Sequence, residues 1–181
     1  MSIVKTKIVA SAERLFTEKG YESTSIQDIA DDCSIAKGSV YKFFPSKEDL
    51  YIEILEERQL TLIEQRERIR EDASLSPRER YVAEIECQLQ FFLTHRLFVT
   101  NGCRQPPPYS HDRIGPYLFR MRARLMNYNR ELLVRQYGEK MRPLAWDAVV
   151  LFTAIANEYL LLMTSADKPL SVQELAAYIA G

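Results

Sequence analysis

Residues 24–50 read TSIQDIADDCSIAKGSVYKFFPSKEDL, from Thr24 to Leu50, and this stretch decides the fold. It divides into two short helices about a tight turn, with a longer helix following at once. Thr24 and Ser25 can each cap the first helix, and Gln27 or Asp28 stands where a capping box needs its partner. Ile26, Ile29 and Ala30 give that helix a buried stripe, and Ala30 is small where the second helix must cross closely. The turn falls at Cys33, Ser34 and Ile35, with Ile35 packing beneath it. Ala36 to Phe43 forms the second helix, with Val40 and Phe43 or Phe44 facing in and Lys37, Ser39, Tyr41 and Lys42 facing out.

That outward face suits the reading of a duplex. Lysine reaches phosphate oxygens or guanine edges, serine bonds to phosphate or base, and Gly38 lets the backbone approach closely. Pro45 stops the second helix, Ser46 caps the next, and Lys47 adds a cation at a helix start whose free amides already attract phosphate. The reading is therefore a helix-turn-helix that binds double-stranded DNA, with contacts from Thr24, Ser25, Gln27, Lys37, Gly38, Ser39, Tyr41, Lys42 and Lys47.

Thr24, Ser25, Ile29 and Ala30, followed by AKGSVYKFFPSKEDL at 36–50, resemble the N-terminal domain of the TetR/AcrR family of transcriptional regulators. The resemblance implies an all-helical homodimer whose last two helices form a four-helix interface, with a small-molecule cavity in each regulatory domain. It also implies recognition helices in successive major grooves about 34 Å apart, reading a palindromic operator, with an effector favouring the wrong spacing. Two positions depart from the family pattern. Ser34 stands where the family usually has glycine, and Ala36 stands where a serine usually caps the recognition helix. Losing that cap costs the helix about 0.5 to 2 kcal/mol unless another group replaces it.

A chain of 181 residues accommodates a small module plus a larger one. The expected division is a DNA-binding domain over 1–47 and a helical regulatory and dimerisation domain over 48–181. No apolar run approaches the roughly 18 residues needed to span a bilayer, and MSIVKTKIVASAERLF lacks a signal peptide's apolar block. A cytoplasmic protein with no membrane partner is the expectation. Cys33, Cys87 and Cys103 are too scattered for a disulfide framework or a C-x-x-C metal site and read as small buried residues. Net charge is −1, but residues 33–47 carry only Lys37, Lys42 and Lys47, and Lys5 and Lys7 extend this basic face. Such a face predicts salt-dependent binding whose specificity comes from paired sites.

Before the deciding stretch, Val4, Ile8, Ala12, Leu15 and Phe16 mark a supporting helix that Gly20 ends, and Tyr21 reads as a staple. After it, Leu50, Ile54, Leu55, Leu62, Ile63 and Ile69 continue a helix of about 25 residues, roughly 37 Å long, that joins the two domains. Its charges, Glu53, Glu56, Glu57, Arg58, Glu64, Arg66, Glu67, Arg68 and Arg70, read as a solvated face. Ser76, Pro77 and Glu79 start the next helix, striped by Tyr81, Ile85, Leu89, Phe92 and Leu93 and running through Leu97, Phe98 and Val99 to Asn101-Gly102. Residues 103–116, with three consecutive prolines, read as loop.

Tyr117 to Tyr137 resumes a helix that is rich in arginine. Arg120, Arg122, Arg124, Arg130 and Arg135 read mostly as solvated, and one turned inward would hold a ligand carboxylate. Pro143 opens the next helix, whose Trp146–Ala166 portion is apolar nearly all round, facing its own core and a second subunit. Pro169 to Ser171 starts a last helix over Val172–Ala180, and family members commonly extend further.

The apolar surplus of the second domain suits a small, largely apolar effector. Candidate lining residues are Phe91, Phe92, His95, Phe98, Tyr117, Met121, Tyr128, Trp146, Phe152 and Asn157. No cofactor is implied. An enzyme is not expected, since no Gly-rich phosphate loop, G-x-S-x-G or H-E-x-x-H occurs. The alternatives are a metal sensor built on Cys87, His95, Cys103 and His111, a thiol switch at Cys33, and a helical dimer that binds DNA or protein without an inducer.

Overall fold

A computed structural model describes residues 2–95, 111–165 and 171–181. Among these residues the architecture is all-helical. The α-helices are α1 (Ile3–Lys19), α2 (Ile26–Asp32), α3 (Lys37–Tyr41), α4 (Lys47–Glu71), α5 (Pro77–Thr94), α6 (Ile114–Tyr137), α7 (Ala145–Ser165) and α8 (Val172–Ile179). A 3-10 turn over Glu139–Leu144 precedes α7 and contains Pro143, so α7 begins two residues after the proline expected to open it. Helix α6 starts three residues before Tyr117. Pro116 is then its third residue, a position where no intrahelical N–H is needed. Phe98 and Cys103 lie outside the described residues, as does the expected run through Leu97 to Val99.

The chain forms two compact units, one built on residues 2–60 and 111–119, the other on 61–95, 120–165 and 171–181. Helix α4 contributes to both. In the first unit, α1 packs on α2 and α2 on α3. Ile8, Ala12, Leu15 and Phe16 are buried as their spacing requires, joined by Val9, while Val4 is exposed. Phe16, Tyr21 and Tyr51 close into an aromatic triangle with centroid separations of 5.3, 5.5 and 4.9 Å. Aromatic pairs of this kind add about 0.5 to 1.5 kcal/mol each beyond the area they bury.

In the second unit, α5 packs along α8 and against α7. Tyr81, Ile85 and Leu89 of α5 share a core with Leu132, Val149, Phe152, Leu160 and Leu175. Ser76 and Ser171 each start their helix with a reciprocal capping box, completed by Glu79 and Glu174.

One expectation for α4 is overturned. Arg66, counted among the solvated charges, is 2% exposed. It stands four residues after Leu62 and eleven after Leu55, on the buried stripe of the helix rather than its charged face.

Candidate functional site

The first unit presents a helix-turn-helix. Ser25 caps α2: the Asp28 N–H donates to its hydroxyl at 3.1 Å, and the Ser25 N–H donates to the Asp28 carboxylate at 2.7 Å. The Ser25 hydroxyl, donating to the Asp28 carboxylate at 2.5 Å, and then the Ser25 N–H hold that carboxyl below the usual carboxylate range. The turn is closed by Ser34 N–H donating to Asp31 O and Ile35 N–H to Ala30 O, both at 3.0 Å. Ser34 has φ 56°, the left-handed conformation in which glycine carries no side-chain penalty. The serine departure noted in the sequence is thus a strained residue in an otherwise regular turn. Helix α3 starts at Ala36 without a side-chain cap, which leaves its first amides open.

Of the residues predicted to touch DNA, the structure brings Lys37, Gly38, Tyr41 and Lys42 to the exposed side of α3, with Ser39 half-buried beside them. Lys37 Nζ lies 6.0 Å from the Tyr41 ring centre. A methyl group built on Gly38 meets nothing within 4 Å, so the free fold does not require glycine there. Glycine there costs the helix about 1 kcal/mol relative to alanine and relieves no internal crowding. Ser25 and Gln27 are exposed on α2, with Gln27 Nε2 donating to Asp31 at 2.7 Å.

Other predicted contacts are turned inward. Thr24 is buried, and its hydroxyl donates to Gly20 O at 2.8 Å and Leu15 O at 3.3 Å. Lys47 Nζ donates to Tyr21 O at 2.9 Å and Thr24 O at 3.1 Å, and sits 4.2 Å from the Tyr21 ring centre. Both residues fix the chain's entry into α2. The N-terminal lysines are engaged likewise: Lys5 pairs with Glu53, and Lys7 Nζ donates to Cys33 O at 2.8 Å. The acids near the turn are also occupied, since Asp32 takes the Ser11 hydroxyl and Arg14, whose bonds hold its carboxyl low. The charged side chains on α3 and its C-terminal cap are Lys37 and Lys42, both exposed.

The predicted effector residues that the structure describes fall in both units. Phe91 is buried, with Phe92 and His95 half-buried against it at centroid distances of 6.0 and 4.7 Å. Phe152 is core, Met121 and Asn157 are half-buried, and Trp146 is exposed with the Arg130 guanidinium 5.5 Å from its ring centre. Tyr117 belongs to the first unit, whereas Tyr128 belongs to a buried polar network of the second.

That network was not singled out in the sequence. Arg66 donates to Gln88 Oε1 at 2.7 Å and Asn129 Oδ1 at 3.2 Å, with Glu84 3.9 Å from its Nε. Glu84 accepts the Tyr128 hydroxyl at 2.6 Å and Arg135 Nη2 at 3.1 Å. Burial pushes the Arg66 guanidinium down to about 10, so it remains charged at neutral pH. Glu84 and Gln88 are readable in retrospect, falling with Tyr81 and Ile85 on one face of α5.

Fold and site together define an all-helical protein with a helix-turn-helix head and a second helical unit. Residues 8–54 match the family model for bacterial regulatory proteins of the tetR family. The chain is 27% identical over 181 residues to the HTH-type transcriptional regulator YerO of Bacillus subtilis (strain 168), covering 99% of itself and 63% of YerO. It therefore spans about three fifths of that relative's length. Over 48 residues it is 46% identical to IcaR of Staphylococcus aureus (strain Newman), a negative regulator of the biofilm operon icaADBC, covering 26% of each chain. The structure of PfmR, a TetR family transcriptional regulator from Thermus thermophilus, superposes with a TM-score of 0.70 at 27% identity, covering 95% of this chain and 94% of PfmR. No helix among the described residues is long and apolar enough to cross a membrane.

Proposed function

We propose that the chain is a ligand-responsive, DNA-binding transcriptional regulator, a cytoplasmic homodimer that represses by occupying a palindromic operator and is released by a small effector with a largely apolar body. The observation that carries the reading is the exposed face of α3, where Lys37, Ser39, Tyr41 and Lys42 surround a glycine the fold does not need. Lys37 and Lys42 supply phosphate attraction, Ser39 and Tyr41 supply hydrogen bonds, and Gly38 admits the sugar-phosphate backbone. Ser25 and Gln27 add contacts from α2, while Thr24 and Lys47 act by positioning that helix.

The DNA-binding domain is assigned to 1–47 and the regulatory and dimerisation domain to 48–181. Dimerisation is assigned to α7, which leaves Val150, Leu151, Ile155 and Leu162 exposed, an apolar surface too extensive for a solvated helix. A dimer places its two recognition helices about 34 Å apart, one turn of B-DNA. The relatives named as transcriptional regulators support this reading, and IcaR's name as a negative regulator supports repression. Selection of duplexes from a random pool tests it. Enrichment of a two-fold symmetric site is expected, and salt-sensitive retention without any motif refutes sequence-specific regulation.

A further inference from the structure

The second unit holds a cleft of about 280 Å³ whose lining includes Arg70 of α4, Arg80 and Tyr81 of α5, and Leu132 and Arg135 of α6, with Glu84 as its carboxylate. Three helices thus deliver guanidinium groups to one cleft. Their charges are not balanced. Arg80 Nη1 donates to Arg70 O at 3.2 Å and its Nε is buried without a hydrogen-bond acceptor. Among the described residues Arg70 pairs with Glu67, at 3.5 Å on the exposed side of its own helix. Glu84 is committed to Arg135 and to the Tyr128 hydroxyl, and it stands 3.9 Å from Arg66, whose own buried Nε also lacks an acceptor. The lining thus sets the guanidinium groups of Arg70, Arg80 and Arg135 against the one carboxylate of Glu84, which Arg135 already shares with Arg66, while Arg80 also interacts with Asp72. Arg70 and Arg135 are partly open to solvent, where an anion can reach them, and a guanidinium presents paired N–H groups that match an oxyanion.

We propose that this cleft binds the oxyanion, a carboxylate or phosphate, of a small organic acid, with Arg70, Arg80 and Arg135 as its anchors and Tyr81 and Leu132 against its apolar part. The inference deepens the ligand-responsive reading and rests on it for the effector role, giving the apolar effector an acidic head. Binding of the anion stabilises the folded chain by mass action, which makes it measurable without any operator. Where the anion draws on Arg135, the Glu84 carboxylate is freed to close on the waiting Arg66 Nε.

The experiment is thermal unfolding and titration calorimetry of the full chain with benzoate, inorganic phosphate and neutral benzamide at constant ionic strength. Benzoate or phosphate is expected to raise the melting temperature and benzamide is not, and the stronger of the two anions identifies the head group. Arg80→Gln is expected to weaken binding at least about tenfold, since a hydrogen bond to a charged group is worth that much. Arg142→Gln, which removes a solvent-exposed guanidinium paired with Glu139, is expected to leave it unchanged. If Arg80→Gln does not fold, Arg70→Gln carries the same test from a half-exposed position. No stabilisation by either anion, equal stabilisation by benzamide, or undiminished binding in the arginine variant overturns the proposal. Duplex selection on the same preparation reports separately on the regulator reading.

Discussion

The guanidinium carbon of Arg66 lies 3.6 Å from the centre of the Tyr128 ring, while both side chains address Glu84. The stacking shields the cation from water on one side, and Gln88 and Asn129 supply carbonyl oxygens beyond it. Removing one member of such a network leaves the others buried and unpaired. Arg66→Met is expected to destabilise the second unit by about 3 to 5 kcal/mol, measured by urea unfolding. Tyr128→Phe, which removes only the hydroxyl bond to Glu84, is expected to cost about 1 to 3 kcal/mol. Strictly additive effects in the double variant would show that the two residues are energetically independent.

The turn of the head offers two stabilising substitutions. Ser34→Gly relieves the left-handed strain, and Ala36→Ser restores a cap to α3. Each is expected to add about 0.5 to 1 kcal/mol to the head and to raise its melting temperature by a few degrees. Calorimetry of the single and double variants checks this, and no gain in either would mean that the local geometry is already compensated.

At α3, stability and binding are expected to part. Gly38→Ala improves helix propensity by about 0.5 to 1 kcal/mol, yet places a methyl group where a duplex backbone would come. The variant should melt higher and bind a selected duplex more weakly. Lys37→Ala should lower the salt dependence of binding by about one unit of slope. Lys47→Met should instead reduce stability, because its ammonium is spent on Tyr21 O and Thr24 O.

His111 gives the head a pH dependence with a defined sign. Its Nδ1 faces Glu48 at 3.0 Å and its Nε2 faces Glu22 at 2.9 Å, so only the doubly protonated ring satisfies both. The hydrogen bond to Glu22, then that to Glu48, raises its pKa above the ordinary histidine value. A raised folded pKa means that the stabilisation is complete below about pH 6.5 and is lost as pH rises through the folded value. Melting temperatures across pH 6 to 8 should fall with pH in the parent and flatten in His111→Gln, and identical slopes would contradict the assignment.

The exposed face of α7 supplies a fifth test. Leu151→Glu puts a carboxylate in the middle of Val150, Ile155 and Leu162. Sedimentation should show a dimer for the parent and a monomer for the variant, with cooperative binding to a symmetric duplex lost at the same time.

What could be read in the sequence followed local rules. Ser25, Ser76 and Ser171 announce helix starts within four residues, and the apolar spacing around Ile29, Ala30 and Val40 yields the helix-turn-helix without knowledge of distant contacts. Residues whose role depends on a partner far along the chain were less legible. Lys47 reads as a phosphate ligand, and its bonds to Tyr21 O and Thr24 O could not be foreseen from its neighbours, while Arg66 looks solvated beside Glu67, Arg68 and Arg70. Its spacing from Leu62 held the contrary signal, which its charge concealed. The aromatic candidates for an effector site could not be separated from core by type alone, because Phe152 and Phe91 satisfy either role.

The serine boxes have a consequence for how the chain avoids wrong structures. Ser25 with Asp28, Ser76 with Glu79 and Ser171 with Glu174 each make two reciprocal bonds, and Ser46 accepts the Asp49 N–H in the same pattern at 3.0 Å. Displacing a helix start by a single residue breaks both bonds of a box at once, a penalty of about 1 kcal/mol or more. The frame of α2, α4, α5 and α8 is thereby favoured by local bonds, independently of what their apolar faces meet. A misregistered packing, which an apolar helix such as α7 would otherwise tolerate, is selected against at the two capped helices it packs on, α5 and α8.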